Sequence, residues 1–377
     1  MRSVGIQADD LTGACDAGAP FAAHGLETVV LLPDRESSSS AAAVTVLDTE
    51  SRHLEPTAAR ARVRGVAARL AAGRPRLLYK KFDSTLRGAV AAEVAGMLEG
   101  AGIARVLVAP AFPAQGRTVV DGIVHAGGRP ADDTPIARDS TFPRTGASVL
   151  ALFGAAGPHP VATVPLATVR RGPVAVLARL SRFASAFVAD AETDADLDAL
   201  APAGDGTGIL VAGSAGLAAG LARRLGRESM GRDRGANPPR LLGPLLVVAG
   251  SAHPVTRAQV VRLRASGIDA RWGLWPDDAD GVEDPARRAR TAQRLAVAAR
   301  ARVDAARPGT LLLAGGETAV SVCRILEATG FRLDGEVEPG LARGALLDGP
   351  FAGLAIVTKA GGFGDPDTLV RVWEACR

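Results

Sequence analysis

LLYKKFDSTLRGAVAAEVAGML, residues 77–98, reads as one strand, one polar loop and one helix in succession. Residues 77–79 are a short apolar run of strand length. Residues 80–88 are polar and charged and end on Gly88, and residues 90–98 are Ala-rich with apolar side chains at helical spacing. A strand that passes through a short loop into a helix is half of a βαβ unit. The rhythm continues outward on both sides. Strands are predicted at 4–7, 28–32, 44–48, 106–109, 187–189 and 209–212, with helices at 56–72 and 217–225 between or after them. Such alternation predicts an α/β fold with a mostly parallel sheet flanked by helices.

The rhythm breaks at GRESMGRDRGANPPRLLGP (226–244), where Gly, Pro, Asn and mixed charge leave no apolar period. It then restarts with strands at 245–249, 311–314 and 355–358 and helices from 257, from 318 and over 285–306. The expected organisation is therefore two domains, 1–228 and 244–377, joined by a linker at 229–243. Each would be a mostly parallel sheet flanked by helices, with a cleft between them. Residues 110–160, rich in Gly and Pro and poor in periodicity, are expected to form an irregular binding loop beside that cleft.

Composition narrows the classes. The chain has 377 residues, 47% apolar and 22% charged, enough for two cores. No apolar run reaches membrane-span length and the first strand begins without a signal-peptide layout, so a cytoplasmic protein without a membrane partner is expected. Cys15, Cys323 and Cys376 are far apart and read as reduced structural thiols. The five histidines are scattered singly, and no metal ligands are assigned. A net charge of +4 is spread along the chain rather than gathered, which argues against nucleic acid. Of 44 basic residues only Lys80, Lys81 and Lys359 are lysines, the compact cation suited to a phosphate or carboxylate oxygen.

In α/β sheets ligands gather where strands end. The first-half strand ends supply Asp9, Asp10, Arg52, Lys81, Asp83, Ser84, Thr85, Arg87 and Arg117. Arg52, Lys81, Arg87 and Arg117 could hold a carboxylate, and Asp9, Asp10 and Asp83 could accept hydroxyl hydrogens. A carboxylate against a hydroxyl is also a general base for phosphoryl transfer. The plain alternative is that Asp10, Thr12, Ser84 and Thr85 only cap helices. The second-half strand ends differ: Gly250 and Ser251; Gly315, Gly316, Glu317 and Thr318; Lys359, Gly361 and Gly362. Glycines there let a backbone approach phosphate oxygens at a helix N-terminus, although no Walker A pattern occurs.

The runs ADDLTGACDAG, DTESR, KKFDSTLRG, APAFPAQGRTVVDG, GSAGLA, GSAHPVTRAQ, GGETA and KAGGFG, in this order over residues 8–364, resemble the four-carbon acid sugar kinase family. The resemblance implies an N-terminal sugar-acid-binding domain and a C-terminal nucleotide-binding domain, in members that phosphorylate D-threonate, D-erythronate or 3-oxo-tetronate. Carried over by position, the acceptor would meet Asp9 or Asp10, Arg52, Lys81, Asp83, Ser84, Thr85 and Arg87. ATP would meet Ser251, Gly315, Gly316, Glu317, Thr318 and Gly361, with Mg²⁺ bridging its phosphates. Either Asp10 or Asp83 would be the base, acting on a terminal hydroxyl. The partners expected are thus a small sugar acid and ATP, and a homodimer is an admissible assembly. A non-catalytic sugar-acid sensor that binds nucleotide is the alternative. Two departures bear on the nucleotide side: the chain looks short for the family in its C-terminal part, and GSAHPVT carries His253.

Overall fold

The structure is a computed structural model that describes residues 4–33, 41–138, 146–155, 160–180, 184–229, 241–276 and 285–377. The expected linker at 229–243 lies for the most part outside the described residues. The chain begins β1 (Val4–Ala8), α1 (Leu11–Ala23), β2 (Thr28–Leu31), β3 (Val44–Asp48), α2 (Pro56–Ala72), β4 (Leu77–Lys81), α3 (Val90–Ala101) and β5 (Val106–Ala109). It goes on with β6 (Arg117–Val120), β7 (Ile123–Ala126), β8 (Arg129–Pro130), α4 (Val149–Gly154), β9 (Val161–Val164), α5 (Leu166–Val169) and α6 (Pro173–Leu180). β10 (Ala186–Ala189), α7 (Asp194–Leu200), β11 (Leu210–Gly213) and α8 (Ala215–Ser229) follow. The rest is β12 (Leu245–Ala249), α9 (Pro254–Ala265), β13 (Gly273–Leu274), α10 (Pro285–Ala306), β14 (Thr310–Ala314) and α11 (Gly316–Ile325). β15 (Gly330–Glu338), β16 (Leu341–Leu346), β17 (Ala355–Lys359) and α12 (Thr368–Ala375) complete it.

The α/β class holds, but the expectation of two separate sheets does not. One sheet of fourteen strands runs β13-β12-β14-β17-β16-β15-β2-β3-β1-β4-β11-β5-β10-β9. From β2 to β9 every pair is parallel, as is every pair from β13 to β17. The antiparallel hairpin β15–β16 joins the two blocks, pairing with β17 on one side and β2 on the other. Its ladder supplies the hydrogen bonds that two open sheet edges would otherwise leave unmade.

Three antiparallel steps reverse the strand direction between the blocks. In a flat sheet the carboxyl ends of the two blocks would lie on opposite edges. β15 instead carries register shifts at Leu333/Gly335 and Glu336/Glu338, with Gly335 at φ 140°. Bulges of this kind bend a strand. The sheet curls around α1, which packs on β1 to β4 of the first block, on β15 to β17, and on α11. This explains why α1 is buried without a break from Leu11 to Phe21 and is written in small residues. Gly18 is an example, since a Cβ there would come 2.9 Å from Leu333 and 3.2 Å from both Thr28 and Val46.

The segment 110–160 is more ordered than expected. Asp121 and Gly122, both at positive φ, close the hairpin β6–β7, and β8 extends it to a three-stranded antiparallel sheet. Residues 139–145 and 156–159 of the segment lie outside the described residues. No helix of the described residues is long and apolar enough to cross a membrane.

Candidate active site

β1 delivers Asp9 and Asp10 to its carboxyl end. Asp10 does cap α1: Oδ1 accepts from Gly13 N at 2.9 Å and Oδ2 from Thr12 Oγ1 at 2.7 Å. The same carboxylate takes Arg52 Nη2 at 2.6 Å, so capping and site membership coincide. Arg52 also grips Asp9 with two bonds, Nε to Oδ2 at 2.8 Å and Nη2 to Oδ1 at 2.9 Å. Burial opposes ionisation of Asp9, but Arg52, Lys80 and Lys81 outweigh it and hold the carboxyl below its usual range. Gly88, at φ 90°, lets the β4 loop lie against Arg52, whose carbonyl oxygen would be 2.9 Å from a Cβ there.

Strand alternation separates the two adjacent lysines. Lys80 points toward α3, is fully buried and pairs with the buried Glu93 at 2.5 Å. It is a structural cation, not part of the site. Lys81 points the other way, toward α1, with Nζ 2.9 Å from where a Cβ on Gly13 would lie. Among the described residues its ammonium has no hydrogen-bond or ion-pair partner.

Asp83 is saturated. Its oxygens accept from Thr85 N at 3.0 Å, from Thr85 Oγ1, from Arg87 Nε at 3.0 Å and from Arg87 Nη2 at 2.8 Å. Against the cost of burial, Arg87, Arg52 and Thr85 hold its carboxyl well below the ordinary carboxylate range. Ser84 and Thr85 are buried in this loop and cap nothing, because α3 starts at Val90 without a side-chain cap. Arg117 stacks over Phe363, 5.8 Å from the ring centroid, and Phe112 meets the same ring edge-on at 6.0 Å. The loop after β5 therefore touches the loop after β17.

The second-block residues converge as well. Gly315, at φ 109°, precedes α11, and a Cβ there would be 3.2 Å from Ser251 N. No side chain caps α11, and its first internal bond is Ala319 N to Gly315 O at 3.0 Å. The amides of Gly316, Glu317 and Thr318 meet no acceptor among the described residues. A Cβ on Gly250 would strike Thr318 Oγ1 at 2.0 Å and one on Gly361 would strike Ser251 Oγ at 2.1 Å, so a side chain at either place would displace that hydroxyl. Glu317 reaches Arg288 of α10 at 3.6 Å. His253 caps α9, its Nδ1 accepting from Val255 N at 3.2 Å. Lys359 is buried behind its loop, donating to Ala360 O at 2.8 Å, Phe363 O at 3.0 Å and Thr256 Oγ1 at 3.2 Å. Burial without a carboxylate partner pulls its ammonium down to about 7.

The two clusters meet. A Cβ on Gly316 would lie 3.3 Å from Asp10 Oδ2, which places the open end of α11 over the first carboxylate of the acceptor set. Residues 4–221 match a family described as a sugar-binding N-terminal domain, and residues 277–369 one described as a nucleotide-binding C-terminal domain. The chain belongs to the four-carbon acid sugar kinase family. Within the family it is 34% identical over 412 residues to the D-threonate kinase of Bordetella bronchiseptica, covering 99% of this chain and 97% of that enzyme. It is 28% identical over 417 residues to the 3-oxo-tetronate kinase of Burkholderia multivorans, covering 99% and 97%. A solved structure from Bordetella bronchiseptica, with bound citrate, is a domain-swapped dimer. It is 32% identical with a TM-score of 0.53, covering 100% of this chain and 98% of that one.

Sequence reasoning passed over Asp16, Glu336 and Phe363. Asp16 had a visible signal, being the one charged residue in the otherwise small and apolar LTGACDAGAPFAA. Phe363 lay within KAGGFG but was not singled out, and Glu336 had no signal, because the bend of β15 that carries it is not written in a periodicity.

Proposed function

We propose that this protein transfers the γ-phosphoryl group of ATP to a terminal hydroxyl of a four-carbon sugar acid. The observation that carries the reading is the approach of Gly316 to Asp10, a phosphate-type helix terminus against a carboxylate able to take a hydroxyl proton. The acid's carboxylate is held by Lys81 and Arg87, and Arg52 fixes Asp9 and Asp10 in place. Of the two candidate bases, Asp10 is favoured, since it is the one that Gly316 approaches, while Asp83 is held by Thr85 and Arg87. The proton of the acceptor hydroxyl passes to Asp10 Oδ2. The amides of residues 316–318 and the positive end of α11 stabilise charge on the transferring group.

On this reading residues 1–228 serve the acid and 244–377 the nucleotide, with Ser251, the Gly315–Thr318 turn and Gly361 around the phosphates. Among the described residues no group of three or more His, Cys, Asp and Glu side chains is arranged to hold a metal ion. A Mg²⁺ there would be carried on the phosphates with a single carboxylate such as Glu317. Bound there, Mg²⁺ would neutralise phosphate charge. The domain-swapped dimer of the Bordetella structure supports a homodimer as the assembly.

Coupled detection of ADP across D-threonate, D-erythronate and 3-oxo-tetronate tests the proposal. Acid-dependent ADP release is expected. Binding of both acid and ATP with no ADP release would instead favour a sensor.

A further inference from the structure

Asp16 lies one helical turn beyond Gly13 on α1, on the face that Lys81 approaches. It is 4% exposed, and its Oδ1 is sealed from solvent without a hydrogen-bond partner. An orphaned polar atom at such depth is costly, and native proteins rarely retain one without a use. Among the described residues Lys81 is likewise without a partner, and the two form no ion pair. The other charged groups that act on Asp16 are Arg117, Glu336 and Asp10, and Asp16 acts in turn on the buried Tyr79. The Tyr79 hydroxyl is already spent on Ser214 O at 2.5 Å. An unused donor and an unused acceptor thus lie near one another at α1, close enough for the Lys81 charge to act on Asp16.

We infer that Asp16 and Lys81 read a non-reacting hydroxyl of the acid, Lys81 donating to its oxygen through an N–H not used on the acid's carboxylate and Asp16 accepting its hydrogen. This rests on the kinase reading above and deepens it. A hydroxyl can accept and donate at once, whereas a ketone can only accept. The pocket therefore selects four-carbon acids that carry a hydroxyl at this position over those that carry a keto group. Burial pushes the Asp16 carboxyl up to about 7, so the carboxylate that accepts the hydroxyl hydrogen is the form present above neutral pH.

The inference is tested by calorimetric affinities of wild type and Asp16→Asn for D-threonate, D-erythronate and 3-oxo-tetronate, with ATP affinity and melting temperature as controls. Asparagine has a similar shape and can donate to a ketone. Wild type should prefer at least one of the two hydroxy acids over the oxo acid, and in the variant that preference should fall about 10-fold or more with ATP affinity unchanged. A variant that keeps the wild-type ratio, whether or not both affinities fall, overturns the role of Asp16. A wild type that prefers the oxo acid overturns it too. Wild type that binds none of the acids would instead defeat the kinase reading itself. Should Asp16→Asn fail to fold, Asp16→Ser is measured by the same ratio.

Discussion

Gly316 and Asp10, from opposite halves of the chain, stand so close that a single methyl on Gly316 would sit 3.3 Å from the Asp10 carboxylate. A branched side chain would fill the space that a transferring phosphoryl group needs. Gly316→Val should lower kcat about 100-fold or more. The fold should survive, because Gly316 has an ordinary helical backbone and its nearest neighbours in that direction are the polar tips of Asp10 and Thr12. Steady-state kinetics beside a melting curve will show whether the two effects separate.

Asp10→Asn and Asp83→Asn should differ in kind. Asparagine caps a helix as well as aspartate does, so Asp10→Asn keeps α1 in place but removes the base. Its kcat should drop about 100-fold to 10,000-fold with little change in KM for either substrate. Asp83→Asn loosens Arg87 and the loop around it, so the KM for the acid should rise most. Equal kinetic signatures for the two variants would contradict the assignment.

The neighbouring lysines give a sharper contrast. Lys80→Met leaves Glu93 charged, buried and unpaired, and should cost about 3–5 kcal/mol in denaturant unfolding. The protein that remains folded should turn over normally. Lys81→Met should change stability little and raise the KM for the acid about 10-fold or more.

Asp16 also makes a pH prediction. Its carboxyl is raised from an ordinary 3.8 to about 7 in the folded chain, so the folded state holds this proton more tightly than the unfolded one. Its contribution to stability is greatest below about 4, declines as pH rises from there to about 7, and is fully lost above that. The loss amounts to about 4 kcal/mol at ~1.4 kcal/mol per pH unit. Unfolding free energies of ligand-free Asp16→Asn should exceed those of wild type above pH 7, with the gap closing toward pH 4. A gap independent of pH would place the proton elsewhere.

The βα units around Asp9, Arg52 and Lys81 were legible because a strand buried on both faces and a helix of one apolar face leave different periods in the chain. The candidate site residues were read from them, since strand ends in such sheets are where polar side chains collect. The hairpin at 330–346 was not legible. GFRLDGEVEPGLARGAL has its alternation broken twice by the bulges at Asp334 and Val337, the same bulges that curl the sheet and bring the halves together. The hairpin at Asp121–Gly122 was legible in principle, Asp-Gly being the commonest tight-turn pair, but the surrounding glycines and prolines masked it. Lys80 shared with Lys81 the signal of a rare lysine at the end of β4, because position along a strand does not reveal which face a side chain takes until one neighbour is placed.

The central claim is that acceptor and nucleotide meet at Asp10. A crystal structure with a non-hydrolysable ATP analogue and D-threonate tests it most directly. The account predicts the γ-phosphate on the amides of residues 316–318 and a terminal hydroxyl oxygen within hydrogen-bond distance of Asp10. Phosphates bound away from α11, or that hydroxyl seated on Asp83 instead, would contradict it.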